Sequence, residues 1–399
     1  MKTILLDPTQ TLVVAIIGYF VGRLLTEKVG ILDKFRIPEA VTGGIVIAIG
    51  VTVLRGWGSV TVSFTPSDVA MLTFFTTIGL SARLSDLKAG GKTLVLTLLV
   101  CVLAVVAENL VGLGFAKLTG APPAMGIMAG SVALIGGHGT AAAWAPLFES
   151  GSEAASAVGL ASATFGLVAG GVVGSPLGRQ LIMRNKLKPA DTDAADLTLS
   201  NDEQRRGRID VPQFFRAVLV IAIAIGVGEE INILLNQVGF KLPHFVTSLF
   251  AGILIANIGP AVLPRINWPT RSPAMRLIAE LSLSIFLVRA LMSLELWTLS
   301  DVAGPLLMVL VTQVMVVLAL AYFLLFRILN RTYDAAIISS GFVGLSLGAT
   351  PTAVANMDSL SNKFGPSPTA FLVIPLVGAF FIDLINAFVI SMLYNFMGG

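Results

Sequence analysis

Residues 93–115 read "TLVLTLLVCVLAVVAENLVGLGF" and residues 304–326 read "GPLLMVLVTQVMVVLALAYFLLF". About 20 mostly apolar residues cross the hydrocarbon core as a helix, the fold in which a segment satisfies its own backbone N–H and C=O groups. Such runs recur along all 399 residues, so the chain reads as an all-α polytopic membrane protein. Only 12% of its residues are charged, against roughly 25% in a soluble domain. A net charge of +3, with no basic surface carrying aromatic residues, excludes a nucleic-acid partner. The single cysteine, Cys101, sits inside an apolar run and rules out an intrachain disulfide or a multi-cysteine metal site. Lys2 precedes an apolar segment, but Gly22 and Arg23 interrupt it and no small-x-small site follows, so it is read as a first span and not a cleaved signal.

The one long hydrophilic stretch is 183–212, which carries Arg184, Lys186, Lys188, Arg205, Arg206 and Arg208 beside Asp191, Asp193, Asp196, Asp202, Glu203 and Asp210. It buries too little apolar area to order itself and is read as a linker between repeats 1–182 and 213–399. The two repeats match in sequence order. "IPEAVTGGIVIAIG" (37–50) answers to "LPHFVTSLFAGILIANIG" (242–259), and "LTFFTTIGLSARLSDLKAGG" (72–91) to "LSIFLVRALMSLELWTLSDV" (283–302). Internal repeats of this kind mark secondary transporters.

Five spans are expected in each half: 9–28, 38–55, 67–84, 93–114 and 153–178, then 213–235, 244–262, 277–298, 304–326 and 369–394. Segments 122–148 and 334–360 are expected to dip into the membrane and return to the same side. With both termini outside and the linker cytoplasmic, 21 of the 26 basic residues fall on the inside, as the positive-inside bias requires. A full crossing at 122–148 would instead leave Arg179 and the basic linker outside. An odd number of spans per half makes the repeats inverted, so the two hairpins enter from opposite sides.

Each hairpin holds a cluster of poor helix formers. Gly136, Gly137, His138, Gly139 and Thr140 lie in "LIGGHGTAAAW"; Gly348, Ala349, Thr350, Pro351 and Thr352 lie in "SLGATPTAVAN". Irregular backbone at membrane depth survives only where protein or water satisfies it. A helix broken there turns N-terminal amides toward an anion and free carbonyls toward Na⁺. Pro351 suits the first turn of a restarting helix. Small residues also permit tight helix packing, the blander reading of one cluster alone. His138 is read either as a satisfied structural histidine or as a substrate contact.

Ionisable side chains within spans are expensive and mark function. Asp383 and Asn386 share one face of the last helix, and Asn356 follows the second break. Their oxygens suit a hard cation such as Na⁺. Arg289, mid-span, suits a substrate carboxylate or a buried acid such as Glu108; Glu280 lies nine residues earlier, about half a turn round the same helix. No HExxH, Gly-x-Ser-x-Gly or Walker loop occurs, so no enzyme activity is expected.

The stretches "IPEAVTGG", "TTIGLSARLSDLKAGG", "GSVALIGGHGTAAAW", "ATFGLVAGG", "SLGATPTAVANM", "FGPS" and "VGAFFIDLINA" closely resemble the bacterial glutamate:sodium symporter family. The resemblance runs through almost the whole chain and is weakest in the linker. It implies two five-span domains of inverted topology, each with a re-entrant loop, and Na⁺-coupled uptake of L-glutamate across the inner membrane. Related carboxylate symporters further suggest a homodimer in which a substrate-carrying domain moves against a scaffold in elevator fashion. The family's signature loops fall on Gly136–Thr140 and Gly348–Thr352, and its last-helix acidic motif on Asp383 and Asn386. The chain departs from the family pattern at Ser81-Ala82-Arg83, Arg289 and Phe342, in segments expected to surround the substrate. A proton-coupled carboxylate carrier is the close variant, and an ion channel the alternative from another class.

Overall fold

The computed structural model describes residues 2–34, 37–58, 60–65, 68–82, 91–148, 154–189, 210–237, 242–263, 268–270, 272–294 and 303–397. Most of the linker (190–209) and Arg83 lie outside them.

One element adds to the all-helical expectation. Strand β1 (Lys2–Leu6) runs parallel to β2 (Val60–Phe64), with Lys2 opposite Val60 and Leu6 opposite Phe64. Just beyond it, the Thr65 hydroxyl donates to the Leu6 carbonyl at 2.5 Å, and the Thr65 amide donates to Thr11 Oγ1 at 3.2 Å. The pair thus ties the start of helix α1 (Pro8–Lys28) to the end of α3 (Glu39–Gly58), with the short α2 (Gly30–Lys34) between them. Asp7 caps α1 in a reciprocal box with Gln10: the Asp7 carboxylate accepts from the Gln10 amide at 2.8 Å, and the Asp7 amide donates to Gln10 Oε1 at 3.1 Å.

Helices α4 (Val69–Ser81) and α5 (Gly91–Thr119) follow. The next segment is broken into α6 (Pro123–Met128), α7 (Ser131–Leu134) and α8 (Gly137–Phe148). The long α9 (Ala155–Asn185) closes the first half. The second half runs α10 (Val211–Gln237), α11 (His244–Val262), α12 (Pro273–Met292) and α13 (Ala303–Ala319). A π-helical turn, Leu320–Leu325, prolongs α13. Then come α14 (Tyr333–Leu347), α15 (Thr350–Phe364), α16 (Pro368–Leu376), a second π turn at Val377–Phe381, and α17 (Ile382–Phe396). Among the described residues seven helices are long and apolar enough to cross a membrane. The protein is a multi-pass membrane protein.

The helices sort into two groups that ignore the boundary at the linker. Helices α1, α3 and α4 pack with α10, α11 and α12, while α5 to α9 pack with α13 to α17. The chain passes between the groups three times: between Ala82 and Gly91, between Pro189 and Asp210, and between Leu294 and Ala303. An aromatic contact bridges them. The Trp144 ring on α8 meets Phe245 of α11 edge-on at 5.6 Å between centroids and Tyr394 of α17 at 6.1 Å, and Phe75 of α4 stacks on Phe245 at 4.6 Å.

Within lipid, apolar tails compete equally for apolar side chains, so helix association rests on close approach through small residues. A β-carbon on Gly43 would lie 1.9 Å from the Gly18 carbonyl oxygen, which fixes α1 against α3. One on Gly79 would lie 2.2 Å from the Leu249 carbonyl oxygen, which fixes α4 against α11. Gly43→Val therefore forces two backbones apart and is expected to destabilise the protein by about 1–3 kcal/mol or more. Gly50→Val, on the same helix but with nothing within 4 Å of its β-carbon, is the control. Thermal unfolding in detergent should show a lowered midpoint for the first and a wild-type midpoint for the second.

Candidate substrate-binding site

The first break is built from glycine geometry. Helix α6 ends at Met128 with Ala129 as its cap, and Gly130 takes φ −99° and ψ −141°. A single turn of helix follows before the chain turns again at Ile135 and Gly136, whose amide donates back to the Ser131 carbonyl at 2.9 Å. Gly137 opens α8 in the left-handed region, φ +66°, which a side chain disfavours. In the second break α14 ends at Leu347, Gly348 takes φ −142° and ψ −91°, and Ala349 is extended. Helix α15 restarts at Thr350 with Pro351 in its first turn, the position where the missing N–H matters least.

The two breaks touch. A β-carbon on Gly137 would lie 3.7 Å from the Gly348 carbonyl oxygen. The N-termini of α8 and α15 therefore meet in the same place, each carrying the partial positive charge of a helix start. Among the described residues the amides of Gly137, His138 and Gly139, and those of Thr350 and Thr352, have no acceptor. Thr352 Oγ1 is buried without a partner and lies 3.3 Å from the β-carbon position of Gly348. Two glycines on neighbouring helices hold the second break from behind. A β-carbon on Gly166 of α9 would sit 2.1 Å from the Leu347 carbonyl oxygen, and one on Gly378 in the second π turn would sit 2.3 Å from Thr350 Oγ1. Toward the other helix group, the β-carbon position of Gly139 faces Phe74 of α4 at 3.4 Å and Leu283 of α12 at 3.8 Å.

A family model described as "Sodium/glutamate symporter" matches residues 4–366. The chain belongs to the sodium/glutamate symporter family. It is similar to the sodium/glutamate symporter of Escherichia coli (strain K12), with 41% identity over 393 residues and 97% of each chain covered. It is likewise similar to that of Haemophilus influenzae, with 38% identity over 385 residues and 95% of each chain covered. The structure of a sodium proton antiporter from Methanocaldococcus jannaschii aligns over 96% of this chain and 97% of that one, at a TM-score of 0.43 and 15% identity.

The remaining residues singled out in this member of the sodium/glutamate symporter family divide by position. His138 lies beside the breaks, but its Nε2 meets Thr164 Oγ1 at 2.9 Å, and that hydroxyl donates to the Leu160 carbonyl at 2.9 Å. Nε2 is therefore the donor, and the ring fastens α8 to α9. Thr140 is buried one turn into α8, and its side chain packs on Gly136. Asn356 sits a turn and a half into α15; its amide donates to the Gly170 carbonyl at 2.9 Å and its oxygen accepts from Ser175 at 3.2 Å. Asn386 clamps α7: Ser131 Oγ donates to Asn386 Oδ1 at 2.7 Å and Asn386 Nδ2 donates to the Ser131 carbonyl at 3.0 Å. Asp383, one turn before Asn386, receives no hydrogen bond from any described residue and follows directly on the π turn that Thr350 packs against.

Arg289 is not at the breaks. It lines a cavity of about 870 Å³ between the helix groups, with Asp68, Ala142, Ala143, His244 and Phe286 on its walls. It stands six residues, about 9 Å along α12, from the Leu283 that abuts Gly139. It forms no pair with Glu108, whose two carboxylate oxygens are buried without a partner. Phe342 is fully buried in α14. Sequence reasoning missed Thr164 and Ser131, because a hydroxyl in a membrane helix ordinarily satisfies itself on its own backbone. It also passed over Asn109 and Gln313, although an amide in the middle of an apolar run was a signal in plain view.

Proposed function

We propose that this chain carries L-glutamate into the cell together with Na⁺, as a secondary transporter of the bacterial inner membrane. The observation behind this reading is the contact between the two helix breaks. Five amides without acceptors, at two helix starts, offer a carboxylate the hydrogen bonds and positive potential it needs away from water. Substrate would be held by Gly136, Gly137, His138, Gly139 and Thr140 on one side and by Gly348, Ala349, Thr350, Pro351 and Thr352 on the other. Asp383 would hold the coupling ion, with Asn356 and Asn386 as neighbouring oxygens; an all-oxygen donor set fits a hard cation. Family membership and the relatives' names point to the same substrate and ion.

In this reading the two halves are inverted repeats, segments 122–148 and 334–360 are re-entrant, both termini are outside and the linker is cytoplasmic. The first three spans of each half form a scaffold, the fixed part of a homodimer, and the group carrying the breaks moves across it like an elevator. The cavity holding Arg289 is then the outer approach to the site. Each Na⁺ moving inward adds about 2.3 kcal/mol per 100 mV of membrane potential.

Purified protein in proteoliposomes tests the proposal. Labelled L-glutamate should accumulate against its gradient only with external Na⁺, and a protonophore should leave uptake unchanged. Uptake that follows a pH gradient without Na⁺ would replace this reading with a proton-coupled carrier; passive current without substrate-dependent uptake would replace it with a channel. Arg289→Leu should raise the KM for glutamate by roughly three- to tenfold at low ionic strength, since a charge on the approach acts mainly on capture and is screened by salt. Adding an inert salt should shrink the difference from wild type. An unchanged KM at low ionic strength would remove Arg289 from the substrate's path.

A further inference from the structure

The break between α6 and α7 is backed by the middles of two long helices, α5 and α13, and their polar residues meet there. Glu108 and Gln313 are fully buried and Asn109 nearly so. Gln313 Nε2 donates to the Glu108 carbonyl at 2.8 Å and to the Ala129 carbonyl at 3.4 Å. Asn109 Nδ2 donates to the Val105 carbonyl at 2.9 Å and to Ser131 Oγ at 2.7 Å. Both amide groups have thus used their hydrogens. What remains is acceptor only: both carboxylate oxygens of Glu108, Oδ1 of Asn109 and Oε1 of Gln313 are buried with no partner.

The backbone adds to this surplus of oxygen. The point that a β-carbon of Gly130 would occupy is 3.0 Å from Asn109 Oδ1, 3.0 Å from the Glu108 carbonyl and 3.2 Å from the Ile127 carbonyl. A carboxylate buried in a hydrocarbon setting, with no donor on either oxygen, calls for a positive partner. Oxygen ligands without a single nitrogen or sulfur select a hard cation. We propose that Glu108, Asn109 and Gln313 form a Na⁺ site behind the first hairpin, with the carbonyl groups beside Gly130 available to complete it. This rests on the Na⁺ symport reading and adds a location to it, separate from Asp383. Through Ser131, which bonds Asn109 on one side and Asn386 on the other, an ion here braces α5, α7, α13 and α17 together before the hairpin moves.

Glu108→Gln keeps the shape of the side chain and removes the charge. In proteoliposomes of the full chain, the Na⁺ concentration that half-saturates glutamate uptake should rise about tenfold or more, the scale on which loss of a supporting ligand weakens metal sites. Stabilisation of the detergent-solubilised protein by Na⁺ over choline, read as a shift in melting temperature, should shrink in step. Gln313→Met, which removes an oxygen without changing charge, should move both readouts in the same direction and decides the matter if the Glu108 variant does not fold. Wild type separates the two ideas. If its uptake needs no Na⁺, the symport reading itself fails. If its uptake is Na⁺-driven and the variants keep its Na⁺ titration, only the site at Glu108 falls. A changed pH profile with an unaltered Na⁺ titration would also overturn the site, by assigning Glu108 a proton in place of the metal ion.

Discussion

Gly137→Val is expected to abolish Na⁺-driven glutamate uptake while the protein still reaches the membrane in wild-type amount. Gly137 opens α8 at φ +66°, a conformation that disfavours a β-carbon by about 1–2 kcal/mol and a branched side chain by more. That penalty alone would leave most membrane proteins folded. Its location makes it decisive, because the β-carbon would point at the Gly348 carbonyl 3.7 Å away and the γ-carbons would fill the space between the two breaks. The variant thus obstructs the place where the unclaimed amides meet. Gly139→Ala supplies the contrast, since its β-carbon meets Phe74 at 3.4 Å, an ordinary contact, and partial uptake should survive. Wild-type uptake by the valine variant would remove the paired breaks from the transport path.

Asp383→Asn should weaken the response to Na⁺ more than the response to glutamate. No described residue donates a hydrogen bond to this carboxylate, whereas Asn386 on the same face is held at both ends by Ser131. Losing the charge at a cation ligand in a weakly screening environment should raise the half-saturating Na⁺ about tenfold, or ~1.4 kcal/mol. Uptake measured against Na⁺ at saturating glutamate, then against glutamate at saturating Na⁺, separates the two responses. Equal loss in both titrations would indicate that Asp383 organises the fold around the π turn and does not hold the ion.

The breaks were legible in the sequence because glycine, threonine and proline contradict a lipid-facing helix so strongly. Their repetition at matching points of both halves is what singled them out. Pro351 does fall in the first turn of a restarting helix, as its chemistry suggests. Harder to read was which helix touches which. Segments such as α5 and α11 carry apolar residues on every side, so no one apolar face announces a partner, and the grouping of α1, α3 and α4 with α10 to α12 depends on glycine contacts between residues such as Gly79 and Leu249. The parallel pairing of "KTILL" with "VTVSF" was invisible for another reason. Each stretch is short, the two are nearly 60 positions apart, and β-branched residues beside apolar spans look like more span. Polar residues were visible as anomalies, but their partners were not. Asn356 reads equally well as an ion ligand or as the clasp on the Gly170 carbonyl that it makes. Arg289 was visible as a buried cation, yet only three dimensions place it on a cavity wall away from the breaks.

The three crossings between the helix groups act as tethers. Two of them are short, with eight residues between Ala82 and Gly91 and eight between Leu294 and Ala303. A fully extended strand of that length reaches only about 30 Å, and the distance already covered at rest must be subtracted from it. In the proposed elevator motion, the stroke of one group past the other would be capped by the tauter of these leashes, and any longer travel would have to unravel the ends of α4, α5, α12 or α13.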